Sequence, residues 1–321
     1  MRYLIFGGSG FIGTHLVHLL HSNTPSAQII NLDLVENNHG GKSIYQYCDV
    51  REPIDIKQRL SQEDIIFNFA AIHRTPGHPD ASYFETNITG AENITAFAEK
   101  QGIRSIVFMS SIAPYGASES LKKETSLPMP DTPYGISKLI AEKIHQIWHA
   151  KDSENRFLLI VRPGVVFGKG ENGNFSRLYT SLLSRKFIYP GRKDTIKACI
   201  YVKDLVRFML FILEQCQAGI QIYNCTYEPA FTIEQICKAM MQTMNRKQRI
   251  LKIPPSILLG VAGAIALLGG KSLGIHPARV RKLMVSTNIS GLKMKATGYP
   301  FRFSLPEAIR DWKTDEKTGF S

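Results

Sequence analysis

Cysteine is scarce in this chain: there are five among 321 residues, and no two of them form a C-x-x-C pair. An odd number of scattered thiols does not supply the disulfide framework of a small secreted domain. A glycine-rich segment starts at residue 7, which leaves no room for a signal peptide ahead of it. We therefore expect a protein of the reducing cytoplasm.

Metal-site patterns are also lacking. His15, His18 and His21 lie three residues apart on a predicted helix, but no carboxylate or cysteine completes a metal site with them. We expect surface histidines and no bound metal.

Acidic residues are few, 27 Asp and Glu against 39 Lys and Arg, which gives a formal net charge of +12. Such a charge favours anionic partners such as nucleic acid, anionic lipid or a phosphorylated substrate. The basic residues are scattered, apart from a mild cluster over 279–295, and no basic stripe is interleaved with aromatic residues. We therefore expect no nucleic-acid partner.

Strand and helix patterns alternate along the first half of the chain, and 44% of all residues are hydrophobic. Alternation of this kind predicts an α/β fold, a Rossmann-like doubly wound parallel sheet. The expected domains are 1–168, to which 199–224 returns, and a smaller substrate-binding domain formed by 169–198 and 225–321. The six expected strands are 2–6, 28–32, 44–48, 65–68, 105–109 and 157–161.

A glycine-rich turn, Gly7-Gly8-Ser9-Gly10-Phe11-Ile12-Gly13, follows the first strand and precedes a helical pattern over 14–20. Glycine lets the chain bend tightly and approach a pyrophosphate, while a helix N-terminus supplies free N–H groups. Asp33 closes the second strand, where a carboxylate binds the adenosine ribose hydroxyls and repels a 2′-phosphate. The pattern predicts NAD as the cofactor.

Tyr134 and Lys138 are four residues apart and therefore lie on one helix face. A lysine ammonium in that position can lower the pKa of the phenol and hold the nicotinamide ribose. The pair predicts a tyrosine that acts as a base near neutral pH.

These motifs resemble the extended short-chain dehydrogenases/reductases, in particular the NAD-dependent sugar epimerases and dehydratases. The resemblance runs along the whole chain and implies a catalytic set of Ser111, Tyr134 and Lys138. It also implies further cofactor contacts beyond the glycine turn and Asp33. The implied cofactor-binding residues are Gly7, Ser9, Gly10, Phe11, Ile12, Gly13, Asp33, Asp49, Val50, Ala70, Ala71, Asn87, Ser110, Tyr134, Lys138 and Pro163.

The residues that follow Ser111 bear on which reaction the chain catalyses. Dehydratases of this family carry an Asp-Glu pair after the residue that matches Ser111, but Ile112 and Ala113 stand there, so elimination lacks its proton carriers. We expect a 4-epimerase of a diphosphate-linked N-acetylhexosamine in surface-polysaccharide assembly. The alternatives left open are a 4-ketoreductase of a 6-deoxy nucleotide sugar and a non-catalytic NAD-binding sensor or scaffold.

Several residues resemble a subset of epimerases acting on polyprenyl-diphosphate-linked N-acetylhexosamines. Lys197 stands where nucleotide-sugar epimerases usually have an arginine, and a lysine provides a point charge rather than a bidentate fork. The resemblance implies sugar-diphosphate contacts from His73, Arg74, Ser111, Asn174, Lys197 and Arg279.

An unusually apolar run over 254–270 is followed by Lys271 and further basic residues. It is slightly short for a membrane span, which needs about 20 residues. Two interpretations stay open: a buried core helix, and an interfacial helix that docks on the inner face of the cytoplasmic membrane. The family resemblance further implies a homodimer formed through the two helices that flank Tyr134.

Overall fold

The computed structural model describes residues 1–73, 77–215, 218–247, 249–254, 256–257 and 284–318. Strands within these ranges are β1 Arg2–Phe6, β2 Gln28–Asp33, β3 Ile44–Tyr47, β4 Ile65–Asn68, β5 Ser105–Met109, β6 Ser118–Lys122, β7 Phe157–Pro163, β8 Val165–Phe167, β9 Tyr189–Pro190, β10 Ile196–Lys197, β11 Cys199–Tyr201, β12 Gly219–Cys225, β13 Phe231–Thr232, β14 Lys252–Ile253 and β15 Thr287–Ile289.

Helices within the same ranges are α1 Phe11–Asn23, α2 Asp80–Phe84, α3 Gly90–Gln101, α4 Pro133–Ala150, α5 Asn174–Leu183, α6 Val202–Gln215, α7 Ile233–Thr243, α8 Leu292–Ala296 and α9 Leu305–Thr318. A wider π-helical turn, Glu85–Thr89, joins α2 to α3.

Seven parallel strands form the main sheet in the order β12-β7-β5-β4-β1-β2-β3. All six strands expected from the sequence belong to it, and the expected doubly wound fold is confirmed. The chain moves outward from β1 to β3 and then returns to the other side of β1 with β4. Ligands of such sheets bind at this reversal, outside the carboxyl ends of the strands.

Helices cover both faces of the sheet. Along β5 the side chains alternate, so Val107 packs with Leu16 of α1 on one face and Ile106 packs with Ile94 of α3 on the other. A third apolar cluster, which includes Trp312 of α9, packs α9 against α5 and α7.

A second sheet of four strands has the order β13-β10-β15-β6. Its edge strand β6 was not expected from the sequence. β6 lies between Ser111 and Tyr134 in the chain and pairs in parallel with β15 near the end of the chain. The segment that separates the two predicted catalytic residues is therefore held by the second sheet.

Candidate active site

The glycine turn sits at the reversal between β1 and β4. Gly7 has a φ of +80°, and a Cβ built on it would lie 2.7 Å from the backbone nitrogen of Ala70, directly after β4. A Cβ on Gly13 would lie 2.6 Å from the Cα of Gly8. Only glycine therefore lets the turn pack against β4 and α1.

The N-terminus of α1 suits a dinucleotide diphosphate. In the described chain its first turn carries no acidic residue and no side-chain cap, so its N–H groups are left for an anion. Helix α1 begins at Phe11, three residues before the start predicted from the pattern. Phe11, Ile12 and Gly13 consequently form the helical turn that faces the diphosphate position.

Asp33 lies beside this turn at the end of β2. One carboxylate oxygen accepts the Ser9 N–H at 3.0 Å and the other accepts the Val35 N–H at 3.2 Å. These two bonds hold the carboxylate next to the glycine turn, where the ribose of an adenine dinucleotide is bound in Rossmann folds. The free N–H groups of α1, the glycine turn and the Asp33 carboxylate together fit NAD.

Asn31 and His39 also support the turn, and neither was predicted. Asn31 is buried in β2, and its side-chain N–H₂ donates to the Ser9 hydroxyl at 2.9 Å and to the Asn37 carbonyl at 2.7 Å. The ring of His39 lies 3.1 Å from the Gly8 carbonyl oxygen. Asn31 is a polar residue among the apolar residues in the middle of strand 28–33, and this was the sign in the sequence that its side chain has a structural role.

Two further predicted cofactor contacts, Asp49 and Val50, follow strand β3 at the edge of the main sheet. Asp49 pairs with Arg51 at 2.6 Å, and this partner lowers the pKa of the carboxyl. Val50 is buried, with its side chain packed against Gly90, where an added Cβ would lie 2.8 Å from it.

Asn87 connects the segment that follows β4 to helix α4. It lies in the π-helical turn, accepts the Ile72 N–H at 2.9 Å and donates to the Ile72 carbonyl at 3.1 Å. Its amide also donates to the Ser137 hydroxyl at 2.8 Å, which in turn donates to the Tyr134 carbonyl at 2.9 Å. Asn87 therefore acts on the cofactor side of the cleft by holding backbone.

Tyr134 lies beside Ser111 in the cleft. Tyr134 lies in the first turn of α4, which begins after Thr132, whose hydroxyl accepts the Gly135 N–H at 3.1 Å. Burial raises the pKa of Tyr134 to about 12, and the hydrogen bond with Ser111 opposes this rise. The sequence predicted a lowered pKa; the structure differs because loss of water around the phenol outweighs the favourable contacts.

Lys138 lies one turn further along α4 and is buried. Its ammonium donates to the Met109 carbonyl at 2.8 Å and lies 4.8 Å from the ring centre of Phe108. Burial lowers the pKa of Lys138 to about 7, and the negative charge of Glu142 opposes this change.

Ser110 and Pro163 flank the Ser111 loop. The side chain of Ser110 is buried and donates to a carboxylate oxygen of Glu142 at 2.5 Å, so this hydroxyl is engaged inside the protein. The Pro163 carbonyl accepts the Ile112 N–H at 3.2 Å and ties the loop to the end of β7.

The predicted substrate residues lie on separate elements. His73 is exposed after β4, and Asn174 is exposed at the start of α5. Lys197 of β10 is half-buried, donates to the Val285 carbonyl at 2.7 Å, and has its pKa lowered to about 8 by burial. Arg74 and Arg279 lie outside the described residues.

Most of the apolar run, from residue 258 onward, and the basic cluster as far as residue 283 also lie outside the described residues. Within the part that is described, no helix combines the length and apolar character needed to cross a membrane.

One histidine of α1 differs from the surface set that was expected, whereas His21 is exposed as expected. His15 is buried, and its ring lies 2.9 Å from the Lys169 carbonyl oxygen. Burial lowers the pKa of His15 to about 4. Because α6 and α9 are placed only by the tertiary fold, the helix pattern alone did not show that this face is covered.

Known proteins resemble this chain over most of its length. The model of the NAD dependent epimerase/dehydratase family matches residues 3–226. An N-acetyl-alpha-D-glucosaminyl-diphospho-ditrans,octacis-undecaprenol 4-epimerase of Escherichia coli O157:H7 is 30% identical over 95% of this chain and 92% of its own length. A GDP-6-deoxy-D-talose 4-dehydrogenase of Aggregatibacter actinomycetemcomitans is 26% identical over 82% of this chain and 92% of its own length.

Solved structures with a similar fold include a sugar epimerase. The Thermus thermophilus UDP-glucose 4-epimerase, in complex with NAD, superposes with a TM-score of 0.74 and 19% identity over 100% of both chains. The family match spans most of the chain and includes the glycine turn, the Tyr134 helix and the strands that place them. This protein belongs to the NAD-dependent epimerase/dehydratase family of enzymes and uses the cofactor of that family, NAD.

Proposed function

We propose that this enzyme is a 4-epimerase of a diphosphate-linked N-acetylhexosamine. The proposal rests on Tyr134 and Lys138, which lie one turn apart on the same face of α4, with Ser111 beside Tyr134. The backbone N–H of Ala113 donates to the Ser111 oxygen at 3.1 Å, which leaves the Ser111 hydrogen for donation to the phenol. A serine oriented in this way stabilises the phenolate and can hold a sugar C4 oxygen beside it.

Each catalytic side chain has one task in this reaction. The chemistry that bound NAD would supply is the acceptance of a hydride from C4 of the sugar and the return of that hydride. Tyr134 takes the proton of the C4 hydroxyl and later gives a proton to the C4 oxygen, while Ser111 holds that oxygen. Lys138 supplies a buried positive charge on the same face of α4.

The residues after Ser111 argue against water elimination. Ile112 and Ala113 begin the short turn 112–115 and carry no group that can move a proton. A dehydratase needs both an acid and a base beside the sugar. Reversible oxidation and reduction at C4 is therefore the chemistry that these residues support.

We propose that the sugar is carried on a polyprenyl diphosphate. The similar Escherichia coli protein is named for an undecaprenyl-linked sugar. The family resemblance implies that Lys197 stands where nucleotide-sugar epimerases usually have an arginine. The apolar run over 254–270 and the net charge of +12 suit a substrate whose head group lies at an anionic membrane surface. The enzyme would then work on the inner face of the cytoplasmic membrane.

We also propose the division into a cofactor domain, 1–168 with 199–224, and a substrate domain, 169–198 with 225–321. Support comes from β12, which pairs with β7 in the main sheet, and from α6, which packs against α1.

A substrate panel tests these proposals. The purified enzyme is incubated with NAD and either UDP-N-acetylglucosamine or polyprenyl-diphospho-N-acetylglucosamine, and the C4 configuration is read by NMR. We expect the lipid-linked sugar to equilibrate between its C4 epimers without accumulation of NADH. Epimerisation of the UDP sugar alone would overturn the carrier, and net NADH formation or release of water would overturn the epimerase.

A further inference from the structure

A buried ion pair lies beneath the catalytic residues. Arg162 of β7 donates to both carboxylate oxygens of Glu142 of α4, at 2.8 and 2.6 Å. Glu142 is 0% exposed and Arg162 is 4% exposed. The same carboxylate accepts the Ser110 hydroxyl at 2.5 Å, so Glu142 joins α4 to the ends of both β5 and β7.

The network continues from Arg162 toward β12. Its guanidinium donates to the Tyr115 hydroxyl at 2.5 Å, and that hydroxyl donates to the Asn224 side-chain oxygen at 2.9 Å. The Asn224 N–H donates to Glu124 at 2.8 Å. The network thus connects helix α4 with the carboxyl ends of β5, β7 and β12.

Three residues of α4 spaced four apart contact three consecutive residues at the end of β5. Tyr134 lies beside Ser111, Lys138 donates to the carbonyl of Met109, and Glu142 accepts from the Ser110 hydroxyl. Residues at this spacing lie on one helix face. The first two contacts belong to the predicted catalytic set, and Glu142 extends the same row by one turn.

The charges around Lys138 are unbalanced without Glu142. From α4 the titratable groups beside it are Tyr134, Glu142 and His145, and burial holds the pKa of His145 at about 4, which leaves its ring neutral. Arg162 of β7, the second cation, is bound to the same carboxylate. Glu142 is the charge that opposes the effect of burial on the Lys138 ammonium.

We propose that Glu142 is a positioning residue, whose carboxylate holds the Ser110 loop and Arg162 in place and supplies the buried negative charge beside Lys138. This role rests on the proposed function, since it concerns the catalytic set. Loss of the carboxylate would leave Lys138 in a dry site without its counter-charge, and the ammonium would give up its proton at lower pH.

The test measures the pKa of Lys138 by carbon-13 NMR of lysine-labelled full-length protein without added cofactor, with Lys138→Met for assignment. In Glu142→Gln we expect this pKa to fall by about 1 unit, the lower end of the effect of a nearby opposite charge. The control is Glu124→Gln, which removes the other carboxylate of the network and should leave the pKa of Lys138 unchanged.

In turnover assays of Glu142→Gln, kcat should fall with little change in KM, and the alkaline loss of activity should begin at lower pH.

A double variant distinguishes the effect of Glu142 on Lys138 from its ion pair with Arg162. Glu142→Met with Arg162→Met removes both charges, a change that buried ion pairs often tolerate. We expect a folded protein whose Lys138 pKa stays low. A folded double variant with the Lys138 pKa and kcat of the natural protein would overturn the proposal, and so would failure of the double variant to fold, which would make the pair structural. Because the NMR measurement needs no sugar, it stands even if the substrate panel disproves the epimerase.

Discussion

At the scale of single residues, the chemistry depends on a tyrosine that is neutral in its protein surroundings. With its pKa raised to about 12, Tyr134 holds its proton near pH 7. A positive charge close to the phenol lowers such a pKa. Burial of Tyr134 therefore means that its action as a base depends on further groups that stabilise the phenolate.

Replacing Tyr134 by phenylalanine removes the group that takes the hydroxyl proton. We expect turnover to fall by roughly 10²–10⁴-fold, the contribution of general acid–base catalysis, while NAD binding stays intact. Steady-state rates and calorimetric NAD titration measure the two effects. Tyr179→Phe is the control, because Tyr179 lies on α5 against Trp312 and Lys313. Near-natural turnover in Tyr134→Phe would exclude this tyrosine as the base.

At the scale of secondary-structure elements, the glycine turn sets how closely β1, α1 and β4 approach. The two glycines Gly10 and Gly13 differ in what an added methyl group would meet. At Gly13 it would lie 2.6 Å from the Cα of Gly8, whereas at Gly10 its nearest neighbour is the Gly7 oxygen at 3.2 Å.

Gly13→Ala should consequently reduce the free energy of unfolding by about 1–3 kcal/mol, the usual effect of overpacking, and should weaken NAD binding. Gly10→Ala places the same methyl group three residues earlier and should cost less stability. Urea unfolding and calorimetry measure both quantities. Equal stability of the two variants would show that the turn can widen at Gly13.

At the scale of the whole molecule, buried histidines make stability depend on pH. His145 is fully buried, stacks on Phe108 with ring centres 4.2 Å apart, and has a pKa lowered to about 4, as has His15. Each is neutral in the folded chain but protonated in the unfolded chain below its ordinary pKa of 6.5. The folded state therefore loses stability as the pH falls from 6.5 toward 4.

We expect the free energy of unfolding to fall by up to about 1.4 kcal/mol per pH unit for each of the two histidines in this window. Urea titrations at several pH values test the slope. His145→Gln should flatten it, whereas His21→Gln should not, because His21 is exposed. An unchanged slope in His145→Gln would mean that this ring is not held neutral.

We also propose a homodimer formed through α4. Ile136, Ile140 and Ile147 are 38%, 39% and 61% exposed and lie on one side of this helix. This mostly apolar stripe, which also includes the exposed Lys143, suits a helix–helix contact with a second copy of the chain. The stripe lies on the helix that carries Tyr134 and Lys138.

Sedimentation velocity tests the dimer. Ile140→Lys with Ile147→Lys should yield monomers, since two buried ammonium groups without partners oppose association. The control Ile44→Lys changes an equally exposed isoleucine, 44%, on β3 and should leave the dimer intact. Monomers in the natural protein, or dimers that persist in the double variant, would exclude this interface.

Local patterns in the sequence were enough to predict the main sheet, the glycine turn and the helix face of Tyr134. Apolar runs predicted six strands of the main sheet, and the glycine turn predicted the junction of β1 and α1 to within three residues. The four-residue spacing of Tyr134 and Lys138 predicted their shared helix face. Each of these depends on neighbours within about one turn of helix or one strand, so the chain carries the information locally.

The tertiary structure decided what distant segments do to one another. Glu142 meets Ser110 from 32 residues away, Tyr115 meets Asn224 across 109 residues, and β6 pairs with a strand near the end of the chain. The burial of His15 and the raised pKa of Tyr134 have the same origin. Burial and counter-charge depend on which segments exclude water around a side chain, and only the assembled fold brings those segments together.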